Sequence, residues 1–240
     1  MNANKFKVFV DFDGTITKVD VGEAIFREFG NAAETDIIVA DLLNGKITAR
    51  KCWELLFATI KEINIVKLDE FIDQMNIEPT FHKFFKYCLE NEIEMFVLSD
   101  GFDYYIQRIF KKENLNHIKI FANSLIITEK KEMIPSFPYF DVDCQTSANC
   151  KRNHVLNNSC DEEFTVYVGD GNSDKYSTQF CDFIFAKDDL LKYCEKERIT
   201  FFPFNNFEDV ITRLDSLRSK KKLKKRYQAE LKRREIYLQE

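Results

Sequence analysis

Glycine and proline are scarce in this chain, which has seven Gly and four Pro among 240 residues. Collagen-like repeats and low-complexity linkers need far more of both, so these classes are excluded. Long apolar runs are also missing, because no stretch approaches the roughly 18 uninterrupted apolar residues of a membrane-spanning helix. Residues 1–7 lead directly into a strand-like segment and leave no room for a signal peptide. We therefore expect a cytoplasmic protein.

What the chain does contain is typical of a folded domain. Its hydrophobic fraction of 45% excludes wholesale disorder, and its length suits one large domain or one domain with an insertion. The seven cysteines are scattered and odd in number, as for free thiols in a reducing compartment. Only Cys144 and Cys150 lie close together, and their spacing is not that of a zinc ribbon. We interpret their segment as a polar loop with incidental thiols.

The charge is distributed unevenly, although the net charge is only −5. Residues 216–240 carry ten Lys and Arg and three Glu, which leaves a net charge of −12 on the rest of the chain. A solvated, helix-prone extension explains this basic segment, but contact with nucleic acid, an anionic lipid or an acidic partner stays open. Nucleic acid is the weaker alternative, because no aromatic residue beyond Tyr227 is interleaved with the cations.

Short apolar runs alternate with amphipathic stretches along most of the chain. The predicted strands are Phe6–Val10, Ile93–Leu98, Leu125–Ile127, Thr165–Val168, Phe183–Phe185 and Thr200–Phe202. The first, second and fourth show no polar alternation, as in strands buried on both faces of a parallel sheet. Helical patterns such as Phe81–Glu90 and Asp103–Glu113 lie between them. The predicted fold class is therefore α/β, with a doubly wound, mostly parallel sheet.

One segment breaks this alternation. Residues 20–79 contain helical patterns such as Val21–Phe29 and Arg50–Ile60 and no convincing strand. An insertion of this length after the first strand indicates a small helical lid. We predict a core of residues 1–16 and 81–215, a helical cap of residues 17–80 and a basic, helical C-terminal extension of residues 216–240.

Acidic and hydroxyl residues follow three of the buried strands. They are Asp11 and Asp13 after the first strand, Ser99 after the second, and Asp170 and Asp174 after the fourth. Ligands of open α/β sheets bind beyond the carboxyl ends of the strands, so we expect a site there. Carboxylates crowded at one edge repel each other unless a cation offsets their charge, and hard oxygen donors favour Mg²⁺.

These residue types suit phosphoryl transfer. With its charge offset, Asp11 is able to act as a nucleophile toward phosphorus. Asp13 is placed to protonate the leaving oxygen and then to activate water. Ser99 and nearby backbone N–H groups would hold phosphate oxygens, and Lys151 would neutralise charge on the transferring group. The residues alone thus predict a magnesium-dependent phosphate site.

The order of these pieces resembles the four motifs of the haloacid dehalogenase superfamily. The matching pieces are Asp11-Phe12-Asp13-Gly14-Thr15, Ser99, Lys151 and Gly169-Asp170 with Asp174. The resemblance extends over residues 6–210 and is to the phosphoserine-phosphatase-like branch, subfamily IB, which carries a helical cap after the first motif. It implies a Mg²⁺-dependent phosphoric monoester hydrolase that acts on a small metabolite through a phospho-aspartate.

The resemblance also implies a role for each matching residue. Asp11 would be the nucleophile, and Asp13 would be the general acid and base, with Thr15 helping to position it. Phosphate and substrate contacts would come from Thr15, Asp20, Ser99, the N–H of Asp100, Gly101 and Lys151. Metal contacts would come from Asp11, the carbonyl of Asp13, Asp170 and Asp174, the last as a ligand or as support behind the ligands.

Two departures from the family bear on the substrate. The family often has Ser-Gly-Gly at the second motif, whereas Ser99-Asp100-Gly101 adds a carboxylate near the phosphate. Phosphoserine phosphatases typically have Glu nine residues after the nucleophile, where this chain has Asp20, which is also a candidate helix N-cap. The chain resembles more the branch that acts on 2-hydroxy-3-keto-5-methylthiopentenyl-1-phosphate in methionine salvage. That branch has a similar Asp and a similar Cys-rich loop before Lys151.

Two other functions stay open on this evidence. One is a phosphoserine phosphatase. The other is a phospho-accepting signalling module without turnover, since such modules also use an Asp and Mg²⁺ on a doubly wound sheet. The long insertion and the acid and base partner Asp13 argue against the signalling module, and lasting phosphorylation of Asp11 would argue for it.

Overall fold

The computed structural model describes residues 4–144 and 147–238. The chain forms two compact units. The first consists of residues 4–16, 78–98 and 151–238, and the second consists of residues 17–77 and 99–150. The domain boundaries that we drew from the sequence stay a prediction.

The described residues form a seven-stranded sheet and a set of helices. The strands are β1 (Lys5–Asp11), β2 (Glu94–Phe102), β3 (Lys119–Ile127), β4 (Met133–Ser136), β5 (Glu163–Gly169), β6 (Phe183–Ala186) and β7 (Phe202–Pro203). The helices are α1 (Val21–Phe29), α2 (Ala32–Leu43), α3 (Ala49–Ala58), α4 (Ile65–Asp73), α5 (Phe81–Glu90), α6 (Asp103–Lys112), α7 (Lys151–Asn157), α8 (Lys175–Thr178), α9 (Asp188–Lys196), α10 (Phe207–Arg218) and α11 (Tyr227–Tyr237).

The strand order is β4-β3-β2-β1-β5-β6-β7. Strands β1, β2, β5, β6 and β7 run parallel, whereas β3 and β4 form an antiparallel pair. The predicted α/β fold class with a mostly parallel sheet is therefore confirmed. The register pairs Val10 with Val168 and Asp11 with Leu98, so β1 and β5 end at the same edge of the sheet. Strand β2 continues to Phe102 and therefore contains Ser99, which we had placed after it.

The middle strands of the first unit are apolar on both faces. Val8, Phe9 and Val10 in β1 have no exposed surface, and the same holds for residues 166–168 in β5. Branched and aromatic side chains pack well on a pleated surface that helices cover on both sides. This explains why these two strands are continuous apolar runs in the sequence.

In α5, as in these strands, the apolar residues of the sequence are the ones that are buried. Its buried residues Phe81, Phe84, Phe85 and Cys88 recur at the spacing of one helical face. The rings of Phe81 and Phe84 contact Phe207 of α10 with centroid distances of 5.0 and 5.2 Å. The apolar face of α5 thus anchors α10 to the first unit.

The helices of the inserted segment begin at residues that cap them. The side chains of Asp20, Asn31, Thr48 and Asn64 accept backbone N–H groups at the starts of α1, α2, α3 and α4. Phe26, Trp53, Phe57 and Phe102 then form an aromatic cluster with ring centroids 4.9–5.8 Å apart. Residues 20–79 thus consist of helices and their connections, with one isolated bridge between Thr17 and Ile77, and their assignment as a cap stays a prediction.

All six predicted strands have a counterpart in the structure, but β4 was not predicted. It is four residues long, its side chains are half-buried or exposed, and it contains Pro135. Proline cannot donate a hydrogen bond to a neighbouring strand and is confined to edges, so a short edge strand of this kind has no clear sequence pattern.

None of the helices in residues 4–144 and 147–238 is long and apolar enough to cross a membrane. Six of the seven cysteines are buried, and Cys160 is exposed. Cys144 and Cys150 are both buried.

The basic C-terminal segment packs within the first unit. One of our interpretations had it as a solvated extension, and the burial of its residues does not agree with that. Ala229 has no exposed surface, and Arg233 is buried. The guanidinium of Arg233 donates to the carbonyl of Phe180 at 2.6 Å and to the carboxylate of Asp182 at 3.2 Å. The sequence did not reveal this, because charge composition alone does not tell a buried arginine from an exposed one.

Replacing Arg233 by alanine is expected to destabilise the protein by about 3–5 kcal/mol. Asp182, which is 4% exposed, would lose the guanidinium that bonds to it, and removing one partner of a buried ion pair is costly. The matched control is Arg234→Ala, because the Arg234 side chain is 68% exposed and pairs with Glu230 one turn away. Denaturant unfolding of both variants measures the difference, and equal stabilities would contradict the structural role of α11.

Candidate active site

The site of the first unit forms where three segments leave the sheet edge. The segment Phe12–Ile16 follows β1 directly, α7 begins at Lys151, and the segment after β5 begins with Asp170. Asp13 lies in the first of these segments with an extended backbone, at φ −74° and ψ 123°. The order of the parallel strands therefore brings together residues that are up to 163 positions apart in the sequence, as Asp11 and Asp174 are.

Three carboxylates converge at this edge. Asp11, Asp170 and Asp174 each offer an oxygen atom, and these atoms lie within 4.8 Å of one another. Asp11 is 4% exposed and Asp174 is fully buried. Carboxylates at this separation in a buried setting repel one another strongly.

One ammonium group lies among the carboxylates. Lys151 is 1% exposed, and its Nζ donates to Asp11 Oδ1, to Asp174 Oδ1 at 2.7 Å and to Ser173 Oγ at 2.9 Å. These three bonds match the three donors of an ammonium group. The Lys151 ammonium bonds to two of the three carboxylates, and Lys187 is near enough to lower the pKa of Asp170, so the carboxylates still outnumber the cations.

The pKa values of the cluster follow from this excess. Burial, together with the charge of Asp174, raises the pKa of Asp11 well above its usual range despite the nearby ammonium. Burial and the charge of Asp174 likewise raise the pKa of Asp170 to about 6. Burial lowers the pKa of Lys151, but Asp11 and Asp174 outweigh it and raise that pKa above its usual value. A bound divalent cation is the charge that this donor set lacks.

Asp174 is held by four hydrogen-bond donors. Its Oδ1 accepts from Lys151 Nζ and from the hydroxyl of Tyr167 at 2.6 Å, and its Oδ2 accepts from the backbone N–H groups of Asp170 and Gly171 at 3.1 and 3.0 Å. A carboxylate that accepts this many bonds is fixed in one orientation. Asp174 thus ties the lysine to the segment that carries Asp170.

The segment after β1 contacts Asp170 directly. The Thr15 hydroxyl donates to Asp170 Oδ1 at 2.6 Å, and its role in positioning Asp13 stays a prediction. Gly14 adopts φ +80°, and a Cβ atom there would lie 2.4 Å from Asp170 Oδ2. Only glycine accommodates both this backbone conformation and the close carboxylate.

The other predicted residues lie in the second unit. Asp20 caps α1 by accepting the N–H of Glu23 at 2.8 Å. Ser99 is fully buried, and its Oγ accepts the N–H of Gly101 at 2.9 Å. Asp100 is half-buried, and its Oδ1 accepts hydrogen bonds from residues 147–149. Ser99 directly follows Leu98, the residue that pairs with Asp11 in the sheet.

Two residues of the site were missed at the sequence level. Tyr167 looked like an ordinary core residue of an apolar strand, yet its hydroxyl bonds to Asp174. Ser173 lies in the last motif, but nothing in its spacing indicated a contact with Lys151. A tyrosine in a strand of valines, two residues before the motif Gly169-Asp170, was the one available signal, because a buried hydroxyl needs a partner.

The chain matches known phosphatases over most of its length. Residues 6–196 match the family model described as Putative Phosphatase. The chain is 30% identical over 218 residues to a 2-hydroxy-3-keto-5-methylthiopentenyl-1-phosphate phosphatase of Bacillus mycoides, covering 88% of this chain and 96% of the relative. It is 28% identical over 228 residues to Pdp3-interacting factor 1 of Schizosaccharomyces pombe, covering 88% and 95%.

Solved structures share the fold. A phosphoserine phosphatase with a phospho-aspartyl intermediate analogue superposes with a TM-score of 0.68 at 20% identity, over 88% of this chain and 99% of that chain. A phosphoserine phosphohydrolase-like protein from Francisella tularensis gives a TM-score of 0.67 at 15% identity, over 87% and 99%. Because the family model matches residues 6–196, which are most of the chain, the protein belongs to the Putative Phosphatase family.

Proposed function

We propose that this protein is a Mg²⁺-dependent phosphomonoesterase for a small metabolite and that its reaction passes through a phosphorylated Asp11. The observation that carries the proposal is the cluster of three carboxylates around the Lys151 ammonium. Family membership makes a phosphoryl group the expected substrate moiety. The excess negative charge of the cluster makes a divalent cation the expected partner.

The donor set fits Mg²⁺, which prefers carboxylate and carbonyl oxygen ligands. We assign Asp11, Asp170 and the carbonyl of Asp13 as ligands. Asp174 is a better support than ligand, because its two oxygens already accept four hydrogen bonds. When bound, the cation supplies positive charge that offsets the carboxylates and the phosphate oxygens.

The chain's own residues then divide the chemistry. A carboxylate oxygen of Asp11 attacks phosphorus, and the bond from phosphorus to the ester oxygen breaks. Asp13 gives its proton to the leaving oxygen, later takes a proton from water as that water attacks the phospho-aspartate, and inorganic phosphate leaves. Lys151 keeps its proton throughout and balances charge on the transferring group. Ser99 Oγ and the N–H of Asp100 would hold the phosphoryl oxygens, while the N–H of Gly101 donates to Ser99 Oγ.

The substrate is proposed from the relatives. The name of the Bacillus mycoides protein makes 2-hydroxy-3-keto-5-methylthiopentenyl-1-phosphate the first candidate, and phosphoserine is the second. Asp20 would face the substrate in addition to capping α1. A cytoplasmic location agrees with such a metabolite, and we keep it as a prediction.

A panel of phosphomonoesters tests this proposal. Phosphate release with Mg²⁺ is measured for both candidates, pyridoxal phosphate and phosphocholine. We expect turnover that requires the cation, with the methylthiopentenyl phosphate as the best substrate. Stable phosphorylation of the protein without release would instead support a phospho-accepting module, and no reaction with any ester would contradict the proposed class.

Gly14→Ala is expected to lower turnover by roughly 100-fold, because a Cβ atom would push Asp170 away from its place. The matched control is Gly45→Ala. Gly45 also has a positive φ of +69°, but no atom lies within 4 Å of the added carbon. Both variants should lose about 1 kcal/mol of stability from backbone strain, and only the first should lose activity. Equal turnover in both would contradict the role of Gly14.

A further inference from the structure

The carboxylate of Asp100 is held by donors from two other segments of the second unit. Its Oδ1 accepts from Ser147 Oγ at 2.7 Å and from the backbone N–H groups of Ala148 and Asn149 at 2.6 and 2.8 Å. Its Oδ2 accepts from Trp53 Nε1 in α3 at 3.4 Å. Hydrogen bonds to a carboxylate are stronger than neutral ones, so three of them on one oxygen hold the loop 147–149 firmly.

The same loop is bonded to the residue before Asp100. Asn149 Nδ2 donates to the carbonyl of Ser99 at 2.7 Å and to the carbonyl of Phe121 at 2.9 Å. Ser99, Ser147 and Asn149 are each 1% exposed or less. Buried polar groups that are paired in this way specify a single arrangement. We call residues 99–101 together with 147–149 the Asp100 clasp.

The position of the clasp in the chain gives it a consequence for catalysis. Its loop ends at Asn149, and only Cys150 separates it from Lys151, the first residue of α7. The other part of the clasp, residues 99–101, contains Ser99, the proposed phosphate ligand. When the Asp100 carboxylate fixes the clasp, it therefore also fixes the backbone that carries the Ser99 hydroxyl and leads into Lys151.

We propose that Asp100 is a positioning residue for Ser99 and Lys151 and that its carboxylate acts through the clasp and not on the substrate. The proposal rests on the proposed function, in which both residues act on the phosphoryl group. It gives the extra carboxylate of the second motif a different role from the effect on substrate choice that we expected from the sequence. The reason is that Oδ1 already accepts three hydrogen bonds from the chain itself.

Two substitutions of Asp100 separate these roles. Asp100→Asn retains an oxygen that can accept from the loop but loses the charge, whereas Asp100→Ala loses both. We expect Asp100→Ala to lower kcat by about 10–100-fold with little change in KM, since small misplacement of catalytic groups has effects of this size. We expect the kcat of Asp100→Asn to stay within about 5-fold of the wild-type value, because most of the hydrogen bonds to the side chain are retained.

A double-mutant cycle tests whether Asp100 and Ser147 act as one unit. Ser147→Ala removes one donor and should lower kcat by about 3–10-fold. If the clasp is the cause, Asp100→Ala combined with Ser147→Ala should be no worse than Asp100→Ala alone. The matched control is Ser136→Ala, because Ser136 is an exposed serine of the second unit and should leave kcat unchanged.

Hydrogen exchange gives a readout that does not depend on turnover. The amides of Ala148 and Asn149 should be protected in the wild type and in Asp100→Asn and should exchange at least about 10-fold faster in Asp100→Ala. If Asp100→Ala does not fold, Ser147→Ala and Asp100→Asn still provide the comparison. If the wild type releases no phosphate from any ester, the proposed function fails, whereas the exchange rates still decide whether the clasp exists.

Three results would overturn the proposal. The first is a rise in KM for one class of substrate that is equal in Asp100→Asn and Asp100→Ala. It would show that the Asp100 carboxylate acts directly on the substrate. The second is a double variant whose losses multiply, which would make the two residues independent. The third is unchanged protection of the two loop amides in Asp100→Ala.

Discussion

Asp11→Asn is expected to lower phosphate release by at least about 1,000-fold, because an amide cannot form the acyl phosphate that the proposed reaction needs. The substitution keeps the size of the side chain and an oxygen that accepts from Lys151. Because it also removes one of three repelling carboxylates, the variant should fold at least as well as the wild type. Steady-state kinetics with the best substrate of the panel, together with thermal unfolding, measures both effects.

The matched control for this variant is Asp161→Asn, since Asp161 is an exposed carboxylate in the same unit. It should leave both turnover and stability within about 20% of the wild type, because surface substitutions have small effects. Turnover that survives in Asp11→Asn would remove Asp11 from the role of nucleophile. An unfolded Asp11→Asn protein would contradict the account of charge repulsion.

Removing divalent cations with a chelator is expected to stop turnover and to lower the midpoint of thermal unfolding by about 5–10 °C. The carboxylate cluster would then keep its uncompensated charge, and a ligand at about 100 times its Kd contributes about 2.7 kcal/mol to the folded state. Adding Mg²⁺ should restore both properties. In Asp170→Asn, turnover should fall by about 100-fold or more, and Mg²⁺ should no longer shift the unfolding midpoint.

The pH dependence of the metal-free protein provides an independent check. Burial and the charge of Asp174 raise the pKa of Asp170 to about 6, so the folded state binds this proton more tightly than the unfolded chain does. The stability that this proton provides is present at low pH and is lost as the pH rises from about 4 to about 6, by up to about 3 kcal/mol. Asp170→Asn should remove this loss. The test is the difference in unfolding free energy between the metal-free wild type and Asp170→Asn. A difference that stays constant across this pH range would contradict the account.

The fold was largely predictable from the sequence, because its signals are local. Buried strands such as Phe6–Val10 are continuous apolar runs, and helices such as Phe81–Glu90 show the spacing of one apolar face. The edge strand Met133–Ser136 was missed, since its pairing depends on a neighbouring strand and not on its own residues. The packing of the C-terminal helix was missed for a similar reason, as the buried partner of Arg233 lies 51 residues away.

The convergence of Asp11, Lys151 and Asp170 was also predictable, because residues that follow parallel strands meet at one edge of the sheet. Which partner each side chain takes was not predictable. Thr15 bonds to Asp170, and Tyr167 bonds to Asp174, although no motif spacing indicates either contact. Such contacts depend on the directions of side chains at the strand ends, and no periodic pattern in the sequence predicts these directions.

The central claim is that Asp11 carries the phosphoryl group during turnover, and trapping this intermediate tests it most directly. The reaction with the best substrate is quenched in acid within milliseconds, the acyl phosphate is reduced with borohydride, and the peptides are analysed by mass spectrometry. We predict that the modified residue is Asp11, that the modification forms before phosphate is released, and that it is missing in Asp11→Asn. Phosphate release with no modification of Asp11, or with the modification on another residue, would contradict the account.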